Sequence, residues 1–413
     1  MSMSRRRFLS LSGAAMAAAA SGRVSRAAAE PASLADGINA FGFDLYQRLS
    51  RTPGNLAFSP TSLSTALSLT SGGARGNTLA EMNTVLHLPA NPHAEYRRFL
   101  ERVFAPGRTK NRPYELTVAN AVWGQRDYPW RKEFQALASK DYLAGLFETD
   151  FARSEAARGA INAWVEKQTR EKIRDLIPAG AVTPLTRMVL TNAMYFKGDW
   201  ATQFLEKGTK EAPFHLDGGE RVTVPMMSQS ADFPYAEVEY DSKSPATDSV
   251  QILALPYAGH DLSMVLLKPI GRGLASLERA MTAAKLAEWL KTLHERKVNV
   301  RVPKFKLEAK EPLILNEPLQ AMGMKDAFSE SKADFGGLHA GKEPLHITAV
   351  VHKAFVEINE KGTEAAAASG VVIGLRGAQR DTEFLADRPF LFLIRENKTG
   401  AILFFGRVSN PKA

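Results

Sequence analysis

The chain has 413 residues, of which 45% are hydrophobic, and no cysteine. A large core is therefore allowed, while disulfides, a thiolate nucleophile and cysteine-based metal sites are excluded. The formal net charge is +9, but residues 1–29 contribute five arginines and no acid; without them it is +4, too mild to argue for nucleic acid.

The N-terminus carries Arg5, Arg6 and Arg7, then a short Ala-rich apolar run, then Ala27, Ala28 and Ala29. A basic head, a short apolar body and small residues at the cleavage position predict a signal peptide over 1–29. The paired arginines point to the twin-arginine type. The alternative is a basic tail without structure. The apolar run is too short to span a membrane. The expectation is an exported protein, periplasmic or extracellular, with one domain over 30–413.

Apolar residues at 34, 38, 41, 45 and 49 predict a helix over 34–50. A second helix, buried on most faces, is predicted over 62–69. Arg97, Arg98, Arg102, Arg108, Lys110 and Arg112 form a basic cluster that could bind a polyanion. Glu95 and Glu101 are interspersed, which equally suits a solvated helix face and loop. Residues 116–123 read as a strand and 157–176 as a helix. Residues 187–195 are mostly apolar, as in a central strand buried on both faces. A helix over 277–293 is predicted, opened by Ser276 as N-cap. Residues 298–302 alternate like a half-exposed strand. Residues 354–358 read as a buried strand. Residues 389–394 and 401–408 flank a Gly-closed turn and predict a hairpin. Asn397-Lys-Thr399 matches a glycan sequon but reads here as that turn. Helices come early and strands late, with no regular βαβ alternation, so the class is α+β.

One segment departs from this pattern. About 24 residues, 360–383, separate two apolar strands, and a connection that long inside a domain is commonly functional or disordered. In an extended strand Thr363, Ala365, Ala367, Ser369, Val371 and Ile373 would all point to one side. These small or apolar side chains could enter a core without an unpaired charge. As a strand, 363–373 would span roughly 35 Å. A flexible Ala/Gly connector or a short helix would share this composition.

The neighbouring residues bring a resemblance. Glu360-Lys-Gly-Thr-Glu-Ala-Ala-Ala-Ala-Ser369 resembles the hinge of inhibitory serpins. Phe384-Leu-Ala-Asp-Arg-Pro-Phe-Leu-Phe-Leu-Ile394 resembles the family's C-terminal signature, and Gly406-Arg-Val-Ser-Asn-Pro411 its usual ending. Asn192-Ala-Met-Tyr-Phe-Lys-Gly-Asp-Trp200 and Asn55-Leu-Ala-Phe-Ser-Pro-Thr-Ser62 are similar to a main-sheet strand and a helix entry of that family. The motifs cover nearly the whole chain after residue 30.

The resemblance implies a serpin fold: a large central, mostly antiparallel sheet, smaller sheets, about eight or nine helices and an exposed reactive-centre loop over about 360–384. It implies an inhibitor, not an enzyme, with a serine protease as covalent partner, acting as a monomer without cofactor, metal, nucleic acid or membrane. The protease cuts the loop, and the cut loop enters the main sheet as a new strand before the acyl bond is hydrolysed. The hinge comprises Glu360, Gly362, Thr363, Glu364, Ala365, Ala366, Ala367 and Ala368. Family spacing from Glu360 places the bait bond at Arg376–Gly377, which suits trypsin-like proteases. Leu375, suited to chymotrypsin-like enzymes, and Arg380 stay open, as does a cysteine protease through a shifted bond. Ser59, Ser62, Asn192 and His352 correspond to a polar cluster that controls sheet opening, with Trp200 where the loop enters. A catalytic or metal-binding His352 would need partners that the sequence does not assemble. A non-inhibitory member of the same fold and an exported hydrolase with an unrecognised site are the alternatives.

Overall fold

Ser33 accepts the Asp36 N–H at 3.2 Å and starts the helix Leu34–Leu49, whose apolar face enters the core. A computed structural model describes residues 33–104, 114–241, 248–309, 311–341, 343–363 and 382–412. Pro31–Ala413 forms a single unit. Residues 1–29, with the expected leader, lie outside the described residues.

The helix Pro60–Ser71 is buried along its whole length despite seven serines and threonines. All of its hydroxyls but that of Ser62 find partners: Thr65 donates to Thr61 O at 2.6 Å and Thr70 to Ala66 O at 3.0 Å. Ser64 and Ser68 pair with the phenols of Tyr96 and Tyr142. Back-bonding of this kind lets a polar sequence occupy a core.

Two expected helices have different bounds. The helix expected over 157–176 is Ser154–Gln168; Arg170 and Glu171 then take positive φ of 52° and 62° and stop it. Ile173 and Leu176 kept the apolar rhythm because they are buried from a loop, tied by Asn162, which donates to Ile177 O and accepts from Ile177 N–H. The helix expected over 277–293 is two helices, Leu274–Ala280 and Ala283–Lys291. Thr282, not Ser276, caps the second by accepting the Lys285 N–H at 3.2 Å. Ser276 lies inside the first helix and donates to the buried Asp248.

Nine α-helices surround two sheets among the described residues. The seven-stranded sheet runs in the order Phe305–Glu308, Val351–Ile358, Met188–Asp199, Tyr114–Gln125, Gly145–Thr149. Leu313–Ile314 also pairs with Val351–Ile358, and Gly362–Thr363 with Met188–Asp199. Two of its joins are parallel: Val351–Ile358 with Met188–Asp199, and Tyr114–Gln125 with Gly145–Thr149. The nine-stranded sheet holds the other strands, including the C-terminal hairpin Phe390–Glu396 and Ile402–Val408, wholly buried apart from Arg395. In its turn the Asn397 side-chain amide donates to His260 O and Ser263 Oγ, so the sequon nitrogen is already engaged.

The central strands Met188–Asp199 and Val351–Ile358 are buried on both faces along most of their length. Met194 and Phe196 face the main core, while Ala193 faces a second cluster built with Ile161 and Val165 of the helix Ser154–Gln168. Alternation along one strand thus serves two cores. No helix among the described residues is long and apolar enough to cross a membrane.

Candidate functional site

The site lies along the parallel join at the centre of the seven-stranded sheet. Met188–Asp199 and Val351–Ile358 are paired only at Lys353↔Ala193 and Ala354↔Met194. A long contact between two neighbouring strands is thereby reduced to a short ladder, with a polar cluster beside it and the hinge at one end.

Pro60 opens a helix at a point that aims the main chain of Ser59 at the sheet. The Ser59 N–H donates to His352 Nε2 at 3.0 Å, and His352 Nδ1 lies 3.0 Å from Asn192 Oδ1. Because Nε2 accepts from a main-chain N–H, the ring proton sits on Nδ1 and donates to Asn192. Asn192 Nδ2 donates to Ser62 O at 2.5 Å and to Asn120 Oδ1 at 3.0 Å. Ser59 Oγ accepts the Ser62 N–H at 3.1 Å and meets Met194 Sδ at 3.3 Å. The structure therefore brings together Ser59, Ser62, Asn192 and His352. Ser62 takes part through its main chain; its hydroxyl is buried without a partner among the described residues. Asn120, on the next strand, was missed in the sequence because a lone polar residue in an apolar strand carries no mark of its partner.

The Asn192–His352 hydrogen bond crosses the two strands that a new strand would have to separate. His352 is fully buried, and that burial lowers its pKa to about 4. In the unfolded chain a histidine takes up its proton near pH 6.5, so between these values the unfolded state binds more protons. Stability is therefore expected to fall as pH drops from about 6.5 to about 4, by about 3 kcal/mol in full. Denaturant midpoints measured across that range check this; a His352→Gln variant, which has no titrating ring, should show a flatter slope. An equal slope in both proteins would remove His352 as the cause.

At the other end of the ladder the chain turns tightly. Asn359 and Gly362 exchange main-chain hydrogen bonds, and Asn359 Oδ1 accepts the N–H groups of Lys361 and Gly362. Gly362 has φ of 153°, and a Cβ there would lie 2.0 Å from Gly198 O, so glycine is required. Trp200 is buried beside the turn: its main-chain N–H donates to Lys361 O at 2.8 Å and its indole to Asn359 O at 3.0 Å.

Glu360 is buried and held by Lys304 Nζ at 2.9 Å and the Thr209 hydroxyl at 2.7 Å. Burial pushes its pKa up, but these hydrogen bonds outweigh burial and leave the carboxyl below its usual range. Neither Lys304 nor Thr209 was singled out in the sequence. Thr209 precedes the strand Lys210–His215 and Lys304 the strand Phe305–Glu308, both far from residue 360 in the chain.

Beyond the turn, Gly362 and Thr363 pair antiparallel with Asp199 and Gly198. Thr363 is 1% exposed. The sequence reading had the whole loop outside the sheet; its residues 362 and 363 are inside. The reason is local: a tight turn, a glycine that fits against Gly198, and a small side chain with a waiting partner. Glu364, Ala365, Ala366, Ala367 and Ala368 of the expected hinge lie outside the described residues, as do Leu375, Arg376, Gly377 and Arg380.

At the opposite end of the join, residues 343–349 run past Met188 and Leu190 without pairing. Between them is a cavity of about 170 Å³, also lined by Phe335, Leu338 and Leu345. It lies on the line that a strand extended from Thr363 would follow.

Of the basic cluster, Arg97 and Arg98 are exposed on the helix Pro92–Val103. Arg97 is 3.5 Å from Asp141 and Arg102 3.9 Å from Glu396. Arg108, Lys110 and Arg112 lie outside the described residues. No group of three or more potential metal ligands occurs among the described residues.

A family model described as "Serpin (serine protease inhibitor)" matches residues 36–411. Leukocyte elastase inhibitor of Bos taurus is 42% identical over 381 residues, covering 90% of this chain and 97% of its own. An uncharacterized serpin-like protein of Thermococcus kodakarensis is 41% identical over 380 residues, covering 91% and 85%. Among solved structures, native protease nexin-1 with heparin has a TM-score of 0.80 at 29% identity, covering 92% of this chain and 99% of that one. Human thyroxine-binding globulin in its thyroxine complex has a TM-score of 0.80 at 31% identity, covering 92% and 98%.

Proposed function

The chain belongs to the serpin family, and on that premise we propose that it is an exported, single-use inhibitor of trypsin-like serine proteases that traps its target by inserting its own cleaved loop. The observation that carries this reading is the pairing of Thr363 with Gly198 at the open end of a two-residue ladder.

From that pair the register of an inserted strand follows by counting, since an antiparallel partner falls by one as the loop residue rises by one. Ala365 would lie opposite Phe196, Ala367 opposite Met194, Ser369 opposite Asn192, Val371 opposite Leu190 and Ile373 opposite Met188. Met194 and Phe196 face the main core, where alanines fit. Ser369 falls at the level of the polar cluster, where separating the strands breaks the Asn192–His352 hydrogen bond and a hydroxyl could take its place. Val371 and Ile373 fall beside Leu190 and Met188, which line the cavity. Side-chain chemistry therefore matches the sheet at each level, and no charge enters the core on that face.

The chemistry belongs to the protease. Its serine attacks the carbonyl of the bait residue, the peptide N–H leaves as an amine, and an ester joins the two proteins. Insertion competes with hydrolysis of that ester; where insertion is faster, the ester persists. Arg376 supports a trypsin-like target, because its guanidinium suits an acidic specificity pocket. The N-terminal pattern over 1–29 supports export.

Incubation with trypsin and denaturing electrophoresis tests the reading. A band at the summed mass that resists denaturation is expected, and mass spectrometry of the released C-terminal peptide should start at Gly377. Arg376→Ala is expected to abolish complex formation with trypsin while leaving the melting temperature unchanged. Cleavage without any stable complex would favour a non-inhibitory role, the reading suggested by the likeness to a thyroxine-binding globulin.

A further inference from the structure

The hinge has a receiving group that the sequence did not mark. Tyr257 is fully buried, stacked on Trp200 with ring centres 4.6 Å apart at 16°, and edge-on to Phe196 at 4.8 Å. Its hydroxyl lies 2.8 Å from Thr363 Oγ1, its one hydrogen-bond partner among the described residues. Burial raises the phenol's pKa, with the Thr363 hydrogen bond opposing, so it stays protonated at any ordinary pH.

We infer that Tyr257 is a positioning residue for loop insertion: its phenol holds Thr363 in the sheet before a protease arrives and so sets the length of loop presented. This rests on the protease-trap reading above. If the hinge leaves the sheet, Thr363 is hydrated by water but the phenol is stranded among Trp200 and Phe196. An orphaned buried hydroxyl is costly, so the equilibrium favours the inserted hinge. Two residues kept in the sheet withdraw about 7 Å of chain from the exposed loop. The same contact starts the strand in the register that the rest of the loop follows after cleavage.

The balance predicts opposite behaviour for single and double variants. Tyr257→Phe leaves the Thr363 hydroxyl unpaired when inside and satisfied when outside, so the hinge is released. Thr363→Val leaves the phenol unpaired whether the hinge is in or out, so the hydrogen bond no longer holds the hinge inside. Tyr257→Phe combined with Thr363→Val places two apolar groups together and restores it. The test is amide hydrogen exchange of the 359–363 segment in the free protein, together with the association rate constant for trypsin.

Tyr257→Phe should speed exchange of that segment about tenfold, the equilibrium factor of one ordinary hydrogen bond, and raise the association rate constant severalfold. The double variant should return both toward wild type. A phenol that merely fills the core would not be rescued in this way. Unchanged exchange in Tyr257→Phe, or changed exchange with an unchanged rate constant, overturns the inference. Exchange is read without protease. A failure of wild type to form complexes therefore counts against the trap and leaves the tether separately measured.

Discussion

Thr363→Arg is expected to turn the protein from an inhibitor into a substrate. Trypsin should still cut the loop, but the complex should be lost and the number of molecules consumed per protease inactivated should rise tenfold or more. Thr363 is buried opposite Gly198, against Tyr257. Even Gly198 has no spare room: a Cβ there would lie 2.7 Å from the Phe196 ring and 3.2 Å from Tyr257. A guanidinium at residue 363 meets aromatic rings and one phenol, and burying such a charge unpaired is strongly unfavourable. Insertion begins at this residue, so the penalty falls on its first step. A slowing worth about 1.4 kcal/mol already gives hydrolysis of the ester a tenfold advantage. The native fold should survive, because the residue sits at the end of a two-residue strand and can leave toward solvent. Titration of residual trypsin activity against inhibitor decides this, and an unchanged end point for Thr363→Arg would sink the insertion mechanism.

The second large effect is on stability. The protein with its loop severed is expected to melt ~10 °C or more above the intact protein, a shift that in a chain of this size needs a net gain on the order of 8 kcal/mol. Only two residue pairs join Met188–Asp199 to Val351–Ile358, and a cavity of about 170 Å³ lies beyond them. An inserted strand would add hydrogen bonds to both neighbours and fill that cavity with Val371 and Ile373. Ordering some eleven residues opposes this, so the gain is far smaller than the number of new bonds suggests. The intact state is then held kinetically, by the His352–Asn192 bridge that any opening must break. Scanning calorimetry before and after limited trypsin cleavage reads the difference. Equal melting temperatures would mean that the intact fold stores nothing to spend on a protease.

How much of this was legible beforehand depended on range. The helix at Leu34–Leu49 was readable because its apolar spacing and Ser33 cap lie within a few residues of one another. The C-terminal hairpin was readable for the same reason. The helix expected over 157–176 ran too long because burial from a loop and burial from a helix leave the same apolar rhythm at Ile173 and Leu176. The break at Thr282 was overlooked because Ser276 also looks like a cap, and only the packing of Asp248 beneath it shows that its hydroxyl is taken.

The site divides in the same way. Residue order alone determined the class of fold, the parity of small side chains from Thr363 onward, the placement of an arginine at residue 376 and the family motifs, because each is a pattern within a continuous stretch. Tertiary structure alone decided that Gly362 and Thr363 already lie in the sheet, that Ser62 acts through its main chain, and that Glu360, Thr363 and Asn192 find Lys304, Tyr257 and Asn120. Those partners are 56, 106 and 72 positions away along the chain, and a hydrogen bond depends on distance in space. No spacing in the sequence encodes which strands the fold will lay side by side.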